Sequence, residues 1–302
     1  MTTDSLWTFR DDRGHGATAS RPPRRIVAYV QAAAALHDLG LPVHGIFGSA
    51  HDKDGLDPAK AGTLRDTGAE YLGSGAELSA ATVLGAEPDL LVSVTYDGKQ
   101  LYGLDPSVAE EVEAEVPTVA LGVGPGHRLS AVRGRFAELA RSLGMESGEN
   151  DSPSVAPAEA ELARSTDRLR EAAQQATGVR VMALSPAGAD KAHVARPRAW
   201  PDLQELADAG VRLVDIPGPG PNWTTVGWEE VAAAGPDLVL ADMRGNATPL
   251  TELTGVPDWQ RVTATADVLP WNPELPCTAP AIGEFFDAVS HALARKAGGP
   301  AR

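Results

Sequence analysis

Basic and aromatic side chains gather at a few places in a chain that is otherwise acidic. Lys191, His193, Arg196, Arg198 and Trp200 lie close together, with Trp223, Arg244 and Trp271 further on. Tyr29, Tyr96, Lys99 and Tyr102 form a sparser set in the first half, with Gln31, the loop from His51 to Lys53 and the stretch from Gly122 to Arg128 near them. Guanidinium forks bind ligand oxygens, and aromatic rings cover an apolar rim. Arg196, Arg198, Tyr96 and Arg244 stand out because they crowd one loop or directly follow an expected strand. The competing reading is plain: arginines paired with nearby acids, and tryptophans used in packing.

Other chemistries find little support. Gly122-Val-Gly-Pro-Gly126 sits between an expected strand and helix, but a dinucleotide fingerprint needs its third glycine one residue later, and a proline intrudes. Pro217-Gly-Pro-Gly-Pro221 lacks the N–H donors of a phosphate cradle. No nucleophile elbow, Walker loop or His-Glu-x-x-His occurs. The seven histidines are scattered, so no metal-ligand set is called. Cys277 is the single cysteine, which excludes an internal disulfide and reads as a small packing residue. The chain reads as a binding protein and not an enzyme, with no catalytic residues assigned; Asp97 and Asp242, each just after a strand, are the acid/base candidates if it were one. The formal net charge of −15 disfavours nucleic acid as a partner.

These side chains need elements to hold them. Ile26 to Val30 is a short apolar run suited to a buried strand, and the Ala-rich segment Gln31 to Leu39 suits a helix stopped at Gly40. A second apolar run begins at Val43. Strand–helix–strand units of this kind build parallel sheets. Leu6 to Gly14 alternates apolar and polar residues as a small hairpin would. Glu87-Pro-Asp-Leu-Leu-Val-Ser93 is echoed by Gly235-Pro-Asp-Leu-Val-Leu-Ala241. Leu36 to Val43 is echoed in turn by Leu203 to Leu213. Two similar α/β lobes would produce such echoes. Between them, 144–153 reads as a polar connector and 156–176 as one stiff helix, about 30 Å long at 1.5 Å per residue. The second lobe then reads as a strand over Arg180–Leu184, a loop carrying Lys191 to Arg198, a helix from Trp200, a strand over Arg212–Ile216, a helix from Trp228 and a closing helix over Ala279–Lys296.

The chain resembles the class III solute-binding proteins of ABC importers, the group that binds iron–siderophores, haem and cobalamin. The resemblance rests on Trp7 to Gly14, on Pro23-Arg-Arg-Ile-Val-Ala28 with Leu36 to Gly45, on the two Pro-Asp strand openings, on Val226-Gly-Trp-Glu-Glu-Val231 and on Pro257-Asp-Trp-Gln-Arg-Val262. It implies two Rossmann-like α/β lobes with central parallel sheets, 1–150 and 179–302, joined by one long bridging helix within 151–178, with a shallow ligand cleft between them. It implies an iron–siderophore-like ligand bound for ABC-type import, with no intrinsic cofactor or metal, iron arriving only inside the siderophore. An ABC permease is then a partner of what is expected to be a monomer. The family docks on its permease through a surface glutamate of each lobe; Glu229 fills that slot, and the matching first-lobe position is Ala81. No export signal or lipid-attachment cysteine precedes the hairpin. With Met1 as the native start, this points to the cytoplasm, although the family is normally exported or lipid-anchored. That motivates a second expectation, a cytoplasmic relative that binds or modifies a metabolite outside transport.

Overall fold

The structure, a computed structural model, describes residues 6–52, 55–144 and 155–298. It divides into two compact units, residues 1–158 with 276–278, and residues 159–275 with 279–302. The polar connector expected over 144–153 falls, from residue 145 onward, outside the described residues.

The first unit opens with a hairpin, β1 (Trp7–Arg10) and β2 (Gly16–Ala19), paired antiparallel. There follow β3 (Ile26–Tyr29), α1 (Val30–Asp38), β4 (Gly45–Phe47), α2 (Pro58–Ala61), β5 (Glu70–Tyr71), α3 (Ala80–Gly85), β6 (Leu90–Thr95), α4 (Pro106–Glu115), β7 (Thr118–Gly122) and α5 (Leu129–Ser142). The sheet order is β5-β4-β3-β6-β7, with every pairing parallel. β3, β6 and β7 are buried along their whole length, which is why they read as unbroken apolar runs. The hairpin covers the open edge of β7. Asp11 and Asp12 accept hydrogen bonds from the N–H groups of Ala120 (3.1 Å) and Gly122 (2.7 Å), donors that an edge strand would otherwise leave bare.

The second unit takes most of α6 (Val155–Gln175). It continues through β8 (Arg180–Pro186), β9 (Lys191–Ala195), α7 (Pro201–Asp208), β10 (Arg212–Leu213), β11 (Trp223–Gly227), α8 (Trp228–Ala234), β12 (Leu238–Asp242), α9 (Pro257–Thr263), β13 (Asp267–Trp271) and α10 (Ala279–Ala297). The order is β11-β9-β8-β12-β13, with the short β10 also on β8. β8, β10, β12 and β13 pair in parallel, whereas β9 is antiparallel to both β8 and β11. The stretch expected as a loop from Lys191 is therefore a strand up to Ala195; Ala192, Val194 and Ala195 are buried, and their burial outweighs the polar residues between them. Conversely, the strand expected over Arg212–Ile216 shortens to two residues. The core gathers Met182, Leu184, Val194, Trp228, Val231, Val239, Leu253 and Trp259. α6 lies on α10. Arg168 and Ser165 both bond Asp287, and a Cβ on Gly283 would come into contact with Ser165.

The repeated Pro-Asp phrases have one structural role. In the first unit the Asp89 carboxylate accepts from the N–H of Arg25 (2.6 Å), while the Asp89 N–H donates to the Arg25 carbonyl (3.0 Å). In the second, Asp237 accepts from the Arg180 N–H (2.9 Å) and donates to the Arg180 carbonyl (2.8 Å). Each arginine also reaches back to the end of the preceding helix, Arg25 to Ala86 O and Arg180 to Ala234 O. The clasp fixes the start of the central strand against its neighbour and so sets the register.

The residue before each Pro-Asp is left-handed. Gly235 has φ 58° and Glu87 has φ 49°. A side chain in that region costs roughly 1–2 kcal/mol, and glycine gives part of this back through its freer unfolded chain. Glu87→Gly is expected to raise stability by about 0.5–1 kcal/mol. Gly235→Ala is expected to lower it by at least about 1 kcal/mol, because the new Cβ would also meet the Arg180 guanidinium at 3.0 Å. Urea unfolding of the two variants beside the parent checks both signs.

Candidate ligand-binding site

In the first unit the parallel strands all end at one edge, and the tyrosines meet there. Tyr29 ends β3 and is fully buried. Its ring stands 5.2 Å from that of Tyr102, which is 4.8 Å from that of Tyr96. The loop after β6 makes this possible. Asp97 accepts the N–H groups of Lys99 (2.8 Å) and Gln100 (2.9 Å), bonds that hold its carboxyl below the usual carboxylate range. Ser93 and Val94 then fix the backbone of Tyr102. Asp97 thus serves as a loop clamp, and Lys99 stands exposed on the loop it shapes. After β4, Asp52 pairs with the fully buried Lys60 at 2.6 Å and takes the Ser49 N–H, leaving His51 exposed. Lys53 lies outside the described residues.

The glycine run after β7 is explained by the same cluster. A Cβ on Gly124 would lie 2.1 Å from the carbonyl oxygen of Tyr96. The run is glycine-rich because one backbone passes directly over another.

In the second unit three tryptophans converge. Trp200 lies 4.9 Å from Trp223 and 5.9 Å from Trp271, and Trp223 lies 5.9 Å from Trp271, between ring centroids. Trp223 begins β11 and Trp271 ends β13, at opposite ends of the sheet order. A flat sheet would hold those strands roughly 19 Å apart, a span that the long indole side chains and the twist of the sheet together close. His193 is the half-buried neighbour of Trp223, its ring bonded to Thr225 and its pKa lowered by burial and then by Lys191. Arg196 meets the Asp215 carboxylate only at 3.9 Å. Its guanidinium donates to the carbonyls of Gly218 (2.6 Å) and Gly220 (3.2 Å), and so it pins the Pro217–Pro221 loop. Again glycine is required: a Cβ on Gly220 would lie 2.0 Å from Trp223 O.

Arg198 is exposed, and among the described residues no carboxylate pairs with it. Lys191 is exposed at the start of β9. Arg244 is buried instead, donating to both oxygens of Asp242 and to Glu274 (2.6 Å). Burial alone would lower its pKa, but the two carboxylates outweigh burial and raise it. Asp242 is thereby committed to an ion pair. Glu229 is exposed in the first turn of α8, and Ala81 is exposed in the corresponding α3.

Sequence reasoning missed Asp202. It is fully buried in the first turn of α7, where it accepts a 2.6 Å hydrogen bond from the Trp271 indole. Trp-Pro-Asp reads as an ordinary helix start, and nothing in it announces a buried carboxyl beneath a ring 69 residues away.

Burial pushes the Asp202 carboxyl up to about 6, against the lowering effect of the indole donor. From the ordinary carboxylate value of about 4 up to about pH 6, the native chain therefore holds a proton that the unfolded chain has released. Stability falls as pH rises through that window. Asp202→Asn keeps an acceptor for the indole and cannot ionise. The variant is expected to gain on the parent by on the order of 2–3 kcal/mol between about pH 4.5 and about pH 6.5, read from thermal melts. At the first-unit cluster, Gly124→Ala is expected to displace the Tyr96 backbone and broaden the tyrosine near-ultraviolet circular dichroism, with the fold otherwise retained.

Known proteins share this fold. The chain is similar to the ferric-siderophore receptor protein DesE of Streptomyces coelicolor, at 28% identity and TM-score 0.85, covering 95% of this chain and 98% of that one. It shares its fold with the siderophore periplasmic binding protein from the fuscachelin gene cluster of Thermobifida fusca, at 20% identity and TM-score 0.60, over 90% of this chain and 96% of that one. The haem-binding protein RhuT of Roseiflexus sp. RS-1 shares the fold as well, at 20% identity and TM-score 0.61, over 91% and 99%. No curated protein sequence matches the chain. The family model for periplasmic binding proteins matches residues 33–267. The chain belongs to the periplasmic binding protein family.

Proposed function

We propose that this protein binds a ferric siderophore and delivers it to an ABC importer. The observation that carries the reading is its 28% identity, over nearly the full length of both chains, to a ferric-siderophore receptor. The side chains suit such a ligand. A siderophore presents carbonyl or anionic oxygens around iron; Lys99 is an exposed cation on the loop between Tyr96 and Tyr102, Arg198 is exposed two residues before Trp200, and Lys191 is exposed at the start of β9. Iron enters as part of the cargo. Glu229, exposed at the start of α8, is the carboxylate offered to arginines of a permease. Among the described residues no helix is long and apolar enough to cross a membrane. The metabolite-binding alternative outside transport is not favoured by any of these relatives.

Titration with a ferric trishydroxamate, a ferric tricatecholate and haem, followed by tryptophan fluorescence, tests the reading. A saturable quench by one of the ferric siderophores is expected, and silence toward all three overturns it. Arg198→Ala is expected to weaken binding of the responding siderophore about 10- to 100-fold, the scale of one charge-assisted contact, without lowering the melting temperature. For the import role, native protein is expected in an exported or membrane-associated fraction.

A further inference from the structure

Two large apolar side chains stand exposed among the described residues: Leu6, where the described chain begins, and Met243, 54% exposed. A single exposed apolar residue is unremarkable by itself. The setting of Met243 is not. It is the first residue beyond the carboxyl end of β12, and in open α/β sheets that is where ligands sit. Its N–H donates to the carbonyl of Trp271 at 2.9 Å, which ties it to the residue that ends β13 and joins the tryptophan cluster.

The residues on either side hold it outward. Asp242 and Arg244 are both buried and paired at 2.7 Å, and Arg244 also bonds Glu274 at 2.6 Å. Rotating the backbone here to bury Met243 would pull Asp242 and Arg244 apart and strand a buried charge, at a cost of several kcal/mol. The buried ion pair thus acts as a mount, and what it presents is a flexible, polarisable thioether. Such side chains adapt to irregular apolar surfaces and make favourable contacts with rings.

We infer that Met243 is a ligand-contacting residue of the second unit, seated against the apolar linkers that join the chelating groups of a siderophore. The inference rests on the proposed siderophore function and names a residue that sets its specificity. Met243 contributes little to hydroxamate or catecholate oxygens themselves. It selects among ferric complexes by the shape and apolarity of what lies between them.

Two measurements test it. Met243→Ala is expected to weaken binding of the ferric siderophore that quenches the parent by about five- to tenfold, the scale for covering half a methionine's apolar surface, while Met243→Leu stays within about twofold. Dilute hydrogen peroxide, which transfers one oxygen to the thioether and leaves as water, is expected to oxidise Met243 in the free protein. Saturation with the same ferric siderophore is expected to slow that oxidation severalfold, read by peptide mass spectrometry. Unchanged affinity in Met243→Ala, or unchanged oxidation in the complex, overturns the inference and leaves siderophore binding standing. A parent that answers none of the ferric complexes overturns both.

Discussion

At the head of each central strand a carboxylate and an arginine backbone exchange hydrogen bonds. Asp89 with Arg25 starts β3 beside β6, and Asp237 with Arg180 starts β8 beside β12. A parallel pair has no hairpin turn to set its register, so something else must. These clasps do so, and the apolar runs that follow are then buried on both faces in step. Slipping the register by one residue would send each buried side chain to the opposite face. The positions of Tyr96 and Met243, each the first residue beyond such a strand, are thus decided at the opposite end of the strand.

A second constraint is close backbone approach. In the first unit Gly124 passes over the carbonyl of Tyr96, and in the second Gly220 passes over that of Trp223. In both, a glycine–proline loop lies against the backbone of a residue that belongs to the aromatic cluster. Proline stiffens these loops and glycine lets them close in. This accounts for the resemblance of Gly122-Val-Gly-Pro-Gly126 to a nucleotide-binding turn without requiring a nucleotide. Arg196 does for its loop what Asp97 does for the loop after β6: a charged group gathers several backbone partners and fixes the segment.

Much of this was legible in the residues. The apolar runs at Ile26, Leu90 and Leu238 announced parallel strands because burial on both faces leaves no polar alternation. The doubled Pro-Asp phrase announced two related units because it does one job twice. Trp200, Trp223 and Trp271 could be named, but their convergence could not, since it depends on a sheet in which β9, read as a loop, lies between β8 and the edge strand β11 that carries Trp223. The polar residues Lys191 and His193 masked β9, and only its pairing with both β8 and β11 reveals it. Asp202 and Glu274 were out of reach for a related reason. A carboxylate in sequence reads as solvent-facing, and its partner across the fold alone tells otherwise.

Arg244 shows how charge type and charge availability come apart. By residue type it is the strongest oxygen-binding candidate in its loop. In the fold it stands between Asp242 and Glu274, so its charge is already engaged by two carboxylates and is not offered to an anion. Breaking the group would strand a buried charge, so a ligand of modest affinity cannot extract the guanidinium. In the proposed reading, attraction of an oxygen-rich ligand falls to cations that remain exposed, Arg198 and Lys191 in one unit and Lys99 in the other. Their reach is short, because salt screens exposed charges beyond roughly 8–10 Å. The overall charge of −15, spread over the chain, is thus a weak influence on an ion approaching any one of these cations.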